Sequence, residues 1–411
     1  MTSGGSINEL HGRPPNGRTE PVRFEALDGW RGLCALWIVL YHFRAVSHVY
    51  DWLWVRTGDI AVDFFFVLSG FVIAHAYGDR LTSKNTRFQF LIRRFGRLYP
   101  LHIATLLVVF VLEAGRYVLS LQMGTPVGRA TFTEDTGIFA LLLNVLLVHA
   151  WGFLYNFTWN VPSWSISVEW ALCILTAVTS IWRRPLLVAG TFATIGFLTL
   201  AWMSTLPTFP FEGQAALVRG IYGFFLGVIV YEAHRWLKRR GVMADARLEW
   251  LAPVILALTV LFKQWQMPVV PPLLFAALVM IFASQTGLFS RMLMWRPIAF
   301  VGEISYSIYL VHYVIVLIVF GGALLLGSRL GFDAVVERGH YNASVINMPT
   351  LWVGDLASLV FLAVTIGVSW CTYNMIERPG RDGFNALAKR AFPTNPTQRR
   401  ADDALDGPNP P

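Results

Sequence analysis

The stretch DIAVDFFFVLSGFVIAHAYG, residues 59–78, decides the fold class of this chain. A helix needs about 20 predominantly apolar residues to cross the hydrocarbon core of a bilayer, and this stretch has that length. Its two acidic residues, Asp59 and Asp63, lie near its start, and it contains no lysine or arginine. The stretch therefore predicts a transmembrane helix.

The composition of the whole chain agrees with this prediction. Of its 411 residues, 55% are hydrophobic and 14% are charged, and the mean hydropathy is +0.52. A soluble domain has about a quarter of its residues charged, so the shortfall indicates lipid as the solvent. The net charge of +8 does not indicate nucleic acid, because the basic residues form short clusters between apolar runs, as membrane topology signals do.

Other apolar runs of comparable length recur along the chain. Together with residues 59–78 they predict an all-α polytopic membrane protein with about ten transmembrane helices. A run at 138–151 has about 14 residues, short for a span, and is expected to form a re-entrant or interfacial helix. The other predicted spans are 26–47, 98–119, 163–182, 186–204, 215–235, 249–265, 269–287, 298–325 and 351–375.

The basic clusters between these runs predict which side of the membrane each loop faces. Lysine and arginine are enriched in cytoplasmic loops, which places the 79–97 loop, Arg183, Arg184 and both termini inside. These assignments agree only if either 138–151 or 163–182 does not cross. The shorter run is the better candidate, although the sequence leaves the choice open.

The same pattern predicts the domain organisation. Residues 1–25 form a cytoplasmic tail, 26–380 a single membrane domain, and 381–411 a cytoplasmic tail that is expected to be disordered. The longest outer loop, 326–350, is the natural place for recognition of an acceptor. The three cysteines lie inside apolar runs without metal-ligand spacing, so no metal site is predicted.

The first predicted helix carries two ionisable residues on one face. Arg31 and His42 are eleven residues apart, which is about 20° beyond three full turns and roughly 16 Å along the axis. A charge in hydrocarbon costs about 2.5–3.5 kcal/mol, so an ionisable residue there is a candidate functional group. We predict a functional role for His42. Arg31 is either functional or an anchor at the inner interface that pairs with Asp28.

Two carboxylates in the predicted outer half of the membrane are candidates to act with His42. Asp63 lies one turn into the second helix, and Glu169 lies in the fourth predicted crossing. Either could orient the imidazole and stabilise its charge, as a carboxylate does behind a basic histidine. For Asp63, the alternative is an acid at a helix start, where the helix dipole favours it.

Polar side chains at helical spacing predict a wet cavity in the same half. Ser305, Tyr309 and His312 form such a stripe on the ninth predicted crossing. We expect Ser69, Ser165, Tyr309 and His312 to line this cavity. For His312, a hydrogen-bonded core histidine is an equally good interpretation.

A basic element opens the third predicted helix at its cytoplasmic end. Arg94 and Arg97 are three residues apart and therefore neighbours on one helix face. Guanidinium groups bind phosphate through bidentate hydrogen bonds, so we predict a donor site formed by Arg31, Arg94, Arg97 and Tyr99. The alternative is anchoring by positive charge at the inner face. A donor with phosphates and an extended reactive arm, such as acyl-CoA, fits a site at this end.

Six sequence elements in this order resemble acyltransferase family 3, the membrane O-acyltransferases that modify O-antigens, exopolysaccharides and Nod factors. The resemblance covers about residues 24–380, and the six elements together are far more specific than any one of them. They are LDGWRG (27–32) continuing to His42, VDFFFVLSGF (62–71), RFGRLYP (94–100), PSWSISVE (162–169), ISYSIYLVH (304–312) and IERP (376–379).

The resemblance implies roles and partners for these residues. His42 would be the catalytic histidine, Arg31 its partner element, and Arg94 with Arg97 the pair that binds the donor. The implied co-substrate is acyl-CoA, with acetyl-CoA first. The acceptor would be a hydroxyl of a carbohydrate or a lipid-linked glycan. The implied location is a bacterial inner membrane with both termini cytoplasmic, and no nucleic acid partner is expected.

These predictions lead to a mechanistic hypothesis. His42, oriented by Asp63 or Glu169, acts as general base on an acceptor hydroxyl that attacks the thioester of the donor. An acyl-histidine intermediate is the open variant. The competing class is a transporter or flippase whose buried acids and histidines relay protons. The one-sided arginine pair and the lack of visible internal repeats favour the enzyme.

Overall fold

The computed structural model describes residues 23–124, 130–206, 213–242, 245–338 and 343–393. In these residues the chain is a succession of α-helices with one two-stranded hairpin. The helices, in chain order, are α1 (Glu25–His42), α2 (His48–Asp51), α3 (Leu53–Arg56), α4 (Ala61–Tyr77), α5 (Lys84–Met123), α6 (Ile138–Val145), α7 (Trp164–Thr179), α8 (Pro185–Met203), α9 (Gly213–Arg239), α10 (Ala252–Gln264), α11 (Val270–Phe282), α12 (Leu288–Leu293), α13 (Arg296–Glu303), α14 (Ser305–Leu330), α15 (Leu351–Thr372) and α16 (Arg378–Ala391).

Seven helical segments among the described residues are long and apolar enough to cross a membrane, as expected for a helical integral membrane protein. The predicted spans at 26–47, 249–265 and 269–287 correspond to shorter helices. These are α1, with 18 residues, and α10 and α11, with 13 residues each. A 13-residue helix rises about 20 Å, against a hydrocarbon core of about 30 Å. The count of ten crossings therefore stays a prediction.

The helices α4 and α9 form the most extensive contact of the core, and small residues let their backbones meet. A Cβ atom added at Gly70 would lie 1.9 Å from a carbonyl oxygen of α9, and one added at Gly227 would lie 1.9 Å from a carbonyl oxygen of α4. Close approach through small residues is typical of helix pairs in a bilayer. This contact brings Asp63 on α4 beside Arg219 on α9.

The helix α1 packs along α13 and the first turns of α14. A Cβ atom added at Gly32 would lie 2.7 Å from the backbone nitrogen of Gly302, so glycine is needed for this approach. As a result, Arg31 reaches the start of α14 at Ser305, and His42 lies beside His312 about two turns further along α14.

The short run at 138–151 does not form a spanning helix. It contains α6, whose eight residues rise about 12 Å. Two side chains of α5 satisfy carbonyl groups near its end: His102 Nε2 donates to the Asn144 carbonyl at 2.9 Å, and the Tyr99 hydroxyl donates to the Val145 carbonyl at 3.0 Å. These hydrogen bonds allow the helix to end inside the protein. The structure thus favours the shorter run as the one that does not cross.

One segment departs from the all-helical prediction. Strands β1 (Val335–Arg338) and β2 (Ala343–Ile346) form an antiparallel hairpin. The backbone of Ile346 also bonds to the segment just after His42, since its N–H donates to the Arg44 carbonyl at 2.9 Å. The described part of the predicted loop 326–350 therefore contains the end of α14 and both strands, and strand β2 lies beside the segment that follows His42. Its role in acceptor recognition stays a prediction.

The prediction of disorder from residue 381 onward is wrong for the first part of that tail. A single π-helical turn (Tyr373–Glu377) leads into α16, which continues to Ala391 and packs against α5. The Phe384 ring fills the space above Gly96, where an added Cβ atom would lie 2.1 Å from the Phe384 Cβ. Residues 1–22 and 394–411, which hold most of the two predicted tails, lie outside the described residues.

Candidate active site

A cavity of about 620 Å³ lies beside the end of α1 and is bounded by α4, α9, α14 and the α10–α11 connection. We call it the histidine cavity because His42 lies in its wall. Aromatic side chains form much of its lining, including Tyr41, Trp164, Tyr309 and Tyr313. Ser344 of strand β2 also contributes to the lining.

The two acids of the histidine cavity each have a basic partner. Arg219 bonds to Asp63 Oδ1 through Nη2 at 3.1 Å and through Nε at 3.3 Å. Lys263 Nζ lies 2.5 Å from Asp59 Oδ2. The Arg219 guanidinium also lies over the Trp164 ring, 5.5 Å from its centroid. Pairing of this kind offsets the cost of removing each charge from water.

His42 is held at one ring nitrogen only. Its Nδ1 lies 3.0 Å from the Ile38 carbonyl oxygen and 3.2 Å from His312 Nε2. Its Nε2 makes no hydrogen bond to any described residue, and this atom is not fully buried. Because His42 lines the cavity, this nitrogen is open to it. An imidazole with one fixed and one open nitrogen can accept a proton from a bound group.

The hypothesis that Asp63 or Glu169 orients His42 is corrected by this geometry. Neither carboxylate bonds to the imidazole among the described contacts, since Asp63 bonds to Arg219 and Glu169 lies elsewhere. The physical reason is that a buried carboxylate takes the nearest cation in preference to a neutral ring. Asp63 still lines the same cavity as His42, and its part in the chemistry stays a prediction.

A second polar layer forms around Arg94 and Arg97 on α5. Glu169 Oε1 lies 3.9 Å from Arg94 Nη1 and accepts a hydrogen bond from Ser69 at 3.2 Å. The Arg97 guanidinium lies close enough to four other charged groups to interact with them electrostatically; these are Arg31, Arg94, Glu169 and Glu377. We call this group the arginine cluster; its members are Arg31, Arg94, Arg97, Glu169 and Glu377.

The three arginines of the cluster differ in how far their donors are used. Arg31 bonds to Ser305 at 2.8 Å, to the Gly302 carbonyl at 2.7 Å and to Asp28 at 3.0 Å. This favours the alternative that Arg31 is an anchor paired with Asp28. By contrast, Arg94 and Arg97 donate no hydrogen bond to any described residue, and Arg94 Nε is fully buried.

Tyr99 is also engaged within the protein. Its hydroxyl donates to Val145, and its ring stacks on Phe95 with centroids 4.4 Å apart. The tyrosine therefore fixes the end of α6 against α5. Its predicted contact with the donor, like that of Arg31, is not tested by these bonds and stays a prediction.

The histidine cavity and the arginine cluster lie at different levels of the helix bundle. Arg31 contacts Ser305 and His42 contacts His312, so the two levels are separated by roughly 16 Å along α1 and 10 Å along α14. Tyr309 lies between them. The lining of the cavity includes Tyr309 but no member of the arginine cluster.

Of the four residues predicted to line the cavity, the structure places only Tyr309 in its wall. Its hydroxyl donates to the Pro162 carbonyl at 2.8 Å and accepts from Ser165 at 2.8 Å, so Ser165 lies behind it. Ser69 belongs to the other level, through Glu169. His312 is fully buried behind His42. Helical spacing therefore predicted one of the four lining residues correctly.

Arg219 is the principal residue that the sequence analysis missed. It stands in the apolar run AALVRGIYGF (215–224), within a predicted span. The rule that flagged His42, an ionisable group in hydrocarbon, applies equally to Arg219. Lys263, in the predicted span 249–265, carries the same signal. Arg219 is the partner of Asp63, which the sequence analysis did select, and Lys263 is the partner of Asp59, which it did not.

The structure thus defines a class of protein: a helical membrane protein with two polar levels. One level is a cavity lined by an imidazole whose Nε2 makes no hydrogen bond to the described residues, and the other holds guanidinium groups that donate none to them. Sequence comparison gives the family. A family model described as "Acyltransferase domain" matches residues 24–374. The chain belongs to acyltransferase family 3, which confirms the resemblance seen in its six motifs.

Curated relatives agree with this assignment. Acyltransferase MdmB of Streptomyces mycarofaciens is 28% identical over 87% of this chain and 92% of its own length. Protein 2 in the picA locus of Rhizobium radiobacter is 35% identical over 41% of this chain and 84% of its own. The putative peptidoglycan O-acetyltransferase YrhL of Bacillus subtilis is 25% identical, and the match covers 56% of it. No solved structure matches the chain.

Proposed function

We propose that this protein transfers an acyl group, acetyl first, from cytoplasmic acyl-CoA to an acceptor hydroxyl on the opposite side of a bacterial inner membrane. The observation that carries the proposal is the state of His42. Its Nδ1 is held by Ile38 and His312, while its Nε2 opens into a cavity large enough for a bound molecule. That is the condition of a general base before its substrate arrives.

The donor site of the proposal is the arginine cluster. Arg94 and Arg97 have no hydrogen-bond acceptor among the described residues, although Arg94 is largely buried. Unused guanidinium donors inside a protein call for an explanation, and phosphate oxygens are their best acceptors. The phosphates of CoA would bind here, with both chain termini on the same, cytoplasmic side.

The acceptor site of the proposal is the histidine cavity. Its aromatic rings and paired charges offer apolar faces and fixed dipoles, which suit a polyhydroxylated ring. The relative named as a putative peptidoglycan O-acetyltransferase supports a carbohydrate acceptor, and a lipid-linked glycan has the same chemistry. The hairpin beside the cavity, which contributes Ser344 to the lining, is well placed to contact such an acceptor.

In the transfer step, His42 Nε2 takes the proton of the acceptor hydroxyl while the oxygen attacks the thioester carbonyl. The C–S bond then breaks, an ester forms, and the imidazolium returns its proton to the leaving thiolate, so the products are the acyl ester and CoA. The two levels are roughly 10–16 Å apart along the helices. The extended arm of the donor must therefore pass Tyr309. For this passage, the hydrogen bond from the Tyr309 hydroxyl to the Pro162 carbonyl has to break.

The proposal is tested with purified full-length protein in lipid vesicles, using labelled acetyl-CoA and candidate acceptors. We expect His42→Ala to lower transfer by at least 100-fold. The matched control is His48→Ala, because His48 pairs with Asp355 and does not line the cavity; it should keep wild-type turnover. Near wild-type transfer by a correctly folded His42→Ala variant would overturn the proposal. Movement of solute or lipid without release of CoA would indicate the transporter or flippase instead.

A further inference from the structure

The contact between His42 and His312 determines where the protons of both rings lie. His312 sits on α14 and is fully buried, and its ring centroid is 5.0 Å from that of His42. Each ring presents its Nδ1 to the carbonyl oxygen four residues earlier on its own helix. The distances are 3.0 Å for His42 to Ile38 and 3.1 Å for His312 to Ile308.

These backbone contacts leave one arrangement of hydrogens for a neutral pair. A carbonyl oxygen only accepts, so each Nδ1 must carry the hydrogen. His312 Nε2 then holds a lone pair, and it lies 3.2 Å from His42 Nδ1. The Nδ1–H of His42 is shared between the Ile38 carbonyl and the His312 lone pair. The remaining lone pair of His42 is on Nε2, which opens into the cavity.

We infer that His312 is a positioning residue that keeps His42 in the tautomer able to accept a proton from the cavity. Its catalytic consequence rests on the proposed function, in which His42 is the base. In the opposite tautomer, His42 Nε2 would carry a hydrogen and could not take the acceptor proton. In that tautomer, the lone pair on His42 Nδ1 would face both the Ile38 carbonyl oxygen and the lone pair on His312 Nε2.

His312 fills the place in which the sequence analysis looked for a carboxylate. When His42 becomes an imidazolium, its Nδ1–H remains bonded to two acceptors, and the His312 lone pair stabilises the new charge. A neutral acceptor gives less stabilisation than a carboxylate. The effect of removing it should therefore be smaller than the about 10⁴-fold loss seen when the aspartate of a serine protease triad is neutralised.

Three variants of His312 separate positioning from packing. The amide oxygen of Gln reaches the place of Nε2, whereas that of Asn reaches only the place of Nδ1. We expect His312→Ala and His312→Asn to lower kcat by about 10- to 100-fold, with KM for acetyl-CoA and for the acceptor within about twofold of wild type. His312→Gln should recover most of the loss. Equal activity of the Gln and Asn variants, or loss through KM alone, would overturn the inference.

A spectroscopic measurement tests the tautomer without any activity assay. The chain has nine histidines, and comparison with His42→Ala identifies the His42 signals in the ¹⁵N spectrum of labelled protein. We expect neutral His42 to carry its proton on Nδ1 in wild type and in His312→Gln. In His312→Ala this preference should weaken, because the Ile38 carbonyl is then the one acceptor left to Nδ1 among the described residues. A proton on Nε2 in the wild type would contradict the inference. If instead His42→Ala remains active while the tautomer is as expected, only the proposed function fails.

Discussion

The arginine cluster and the histidine cavity differ in how their buried charges are paired. In the cavity each acid has a dedicated cation, Asp63 with Arg219 and Asp59 with Lys263. In the cluster, Arg94 and Arg97 make no hydrogen bond to any described residue, and the nearest carboxylate oxygen to Arg94 is 3.9 Å away. One region is electrostatically complete before a ligand arrives, and the other is not.

This difference shows what each region is suited to bind. Idle guanidinium groups gain most from an anion, because only an anion uses donors that the protein leaves unsatisfied. Paired charges have little to gain from a further ion, but they hold their dipoles in place, as a neutral polar molecule requires. This electrostatic contrast supports the proposal of a charged donor at one level and a hydroxyl acceptor at the other.

The largest expected effect comes from breaking a pair in the cavity. Arg219→Ala leaves Asp63 as a buried charge without its partner, and we expect the free energy of unfolding in detergent to fall by about 3–5 kcal/mol. The matched control is Arg235→Ala, which removes a pair with Asp79 at 2.7 Å whose acid is 73% exposed. That variant should lose less than about 1 kcal/mol. Equal losses of unfolding free energy in the two variants would mean that the Asp63–Arg219 pair is screened by solvent as strongly as the exposed pair.

The next largest effect tests the idle donors of the cluster. We expect Arg94→Ala to raise KM for acetyl-CoA by about 10- to 100-fold, the equivalent of 1.5–3 kcal/mol for hydrogen bonds to a charged group, and to leave KM for the acceptor unchanged. Initial rates at varied donor and acceptor concentrations give both constants. Arg31→Ala is the contrast, because its donors are already used within the protein; it should lower stability more than donor affinity. A rise confined to the acceptor KM in Arg94→Ala would reverse the assignment of the two regions.

A smaller effect is expected from a substitution at Tyr309, which lies between the two levels. Tyr309→Phe keeps the ring but removes the hydrogen bonds to Pro162 and from Ser165, each worth about 0.5–1.5 kcal/mol. Because Tyr309 lines the histidine cavity on the side of the arginine cluster, we expect a change of about two- to tenfold in kcat with no preference for either KM. Tyr373→Phe, which removes one hydrogen bond to Glu303 outside the cavity lining, is the control. A change in only one KM would mean that Tyr309 contributes to the binding of one substrate alone, rather than to transfer between the two levels.

The smallest effect sharpens the boundary of the cluster. Ser69 donates to Glu169, and Ser69→Ala frees that carboxylate to compete with phosphate for Arg94. We expect KM for acetyl-CoA to rise about two- to fivefold, consistent with the loss of one hydrogen bond. Ser165→Ala, which touches Tyr309 and not Glu169, should leave the donor KM unchanged. If Ser69→Ala alters the acceptor KM instead, Ser69 belongs to the cavity, as its sequence pattern first indicated.

The helical class was predictable because it depends on local properties of the chain. Run length and hydropathy identify α4, α5, α7, α8, α9, α14 and α15, and length also singled out the segment of α6 as too short to span. The prediction was wrong at the 335–346 hairpin and at α16. The hairpin depends on pairing with Arg44 and Val46, and α16 depends on packing against α5. Neither partner is adjacent in sequence.

Within the site, the residue types were predictable but their partners were not. His42, Asp63, Glu169, Arg94 and Arg97 stand out in the sequence as ionisable groups within or beside apolar runs. Asp63 and Glu169 were assigned to His42 because both were expected at its level. The structure divides them between two regions, since a carboxylate in a low-dielectric interior bonds to the cation that packing brings nearest.

By itself, the sequence determined that this protein is a bundle of apolar helices that carry ionisable groups, because hydropathy and helical spacing are properties of single segments. Only the tertiary structure decided which of those groups meet. The pairs His42–His312 and Asp63–Arg219 join residues 270 and 156 positions apart. They form because glycines such as Gly32 and Gly70 let particular helices approach closely, and no pattern within one helix records which neighbour it will touch.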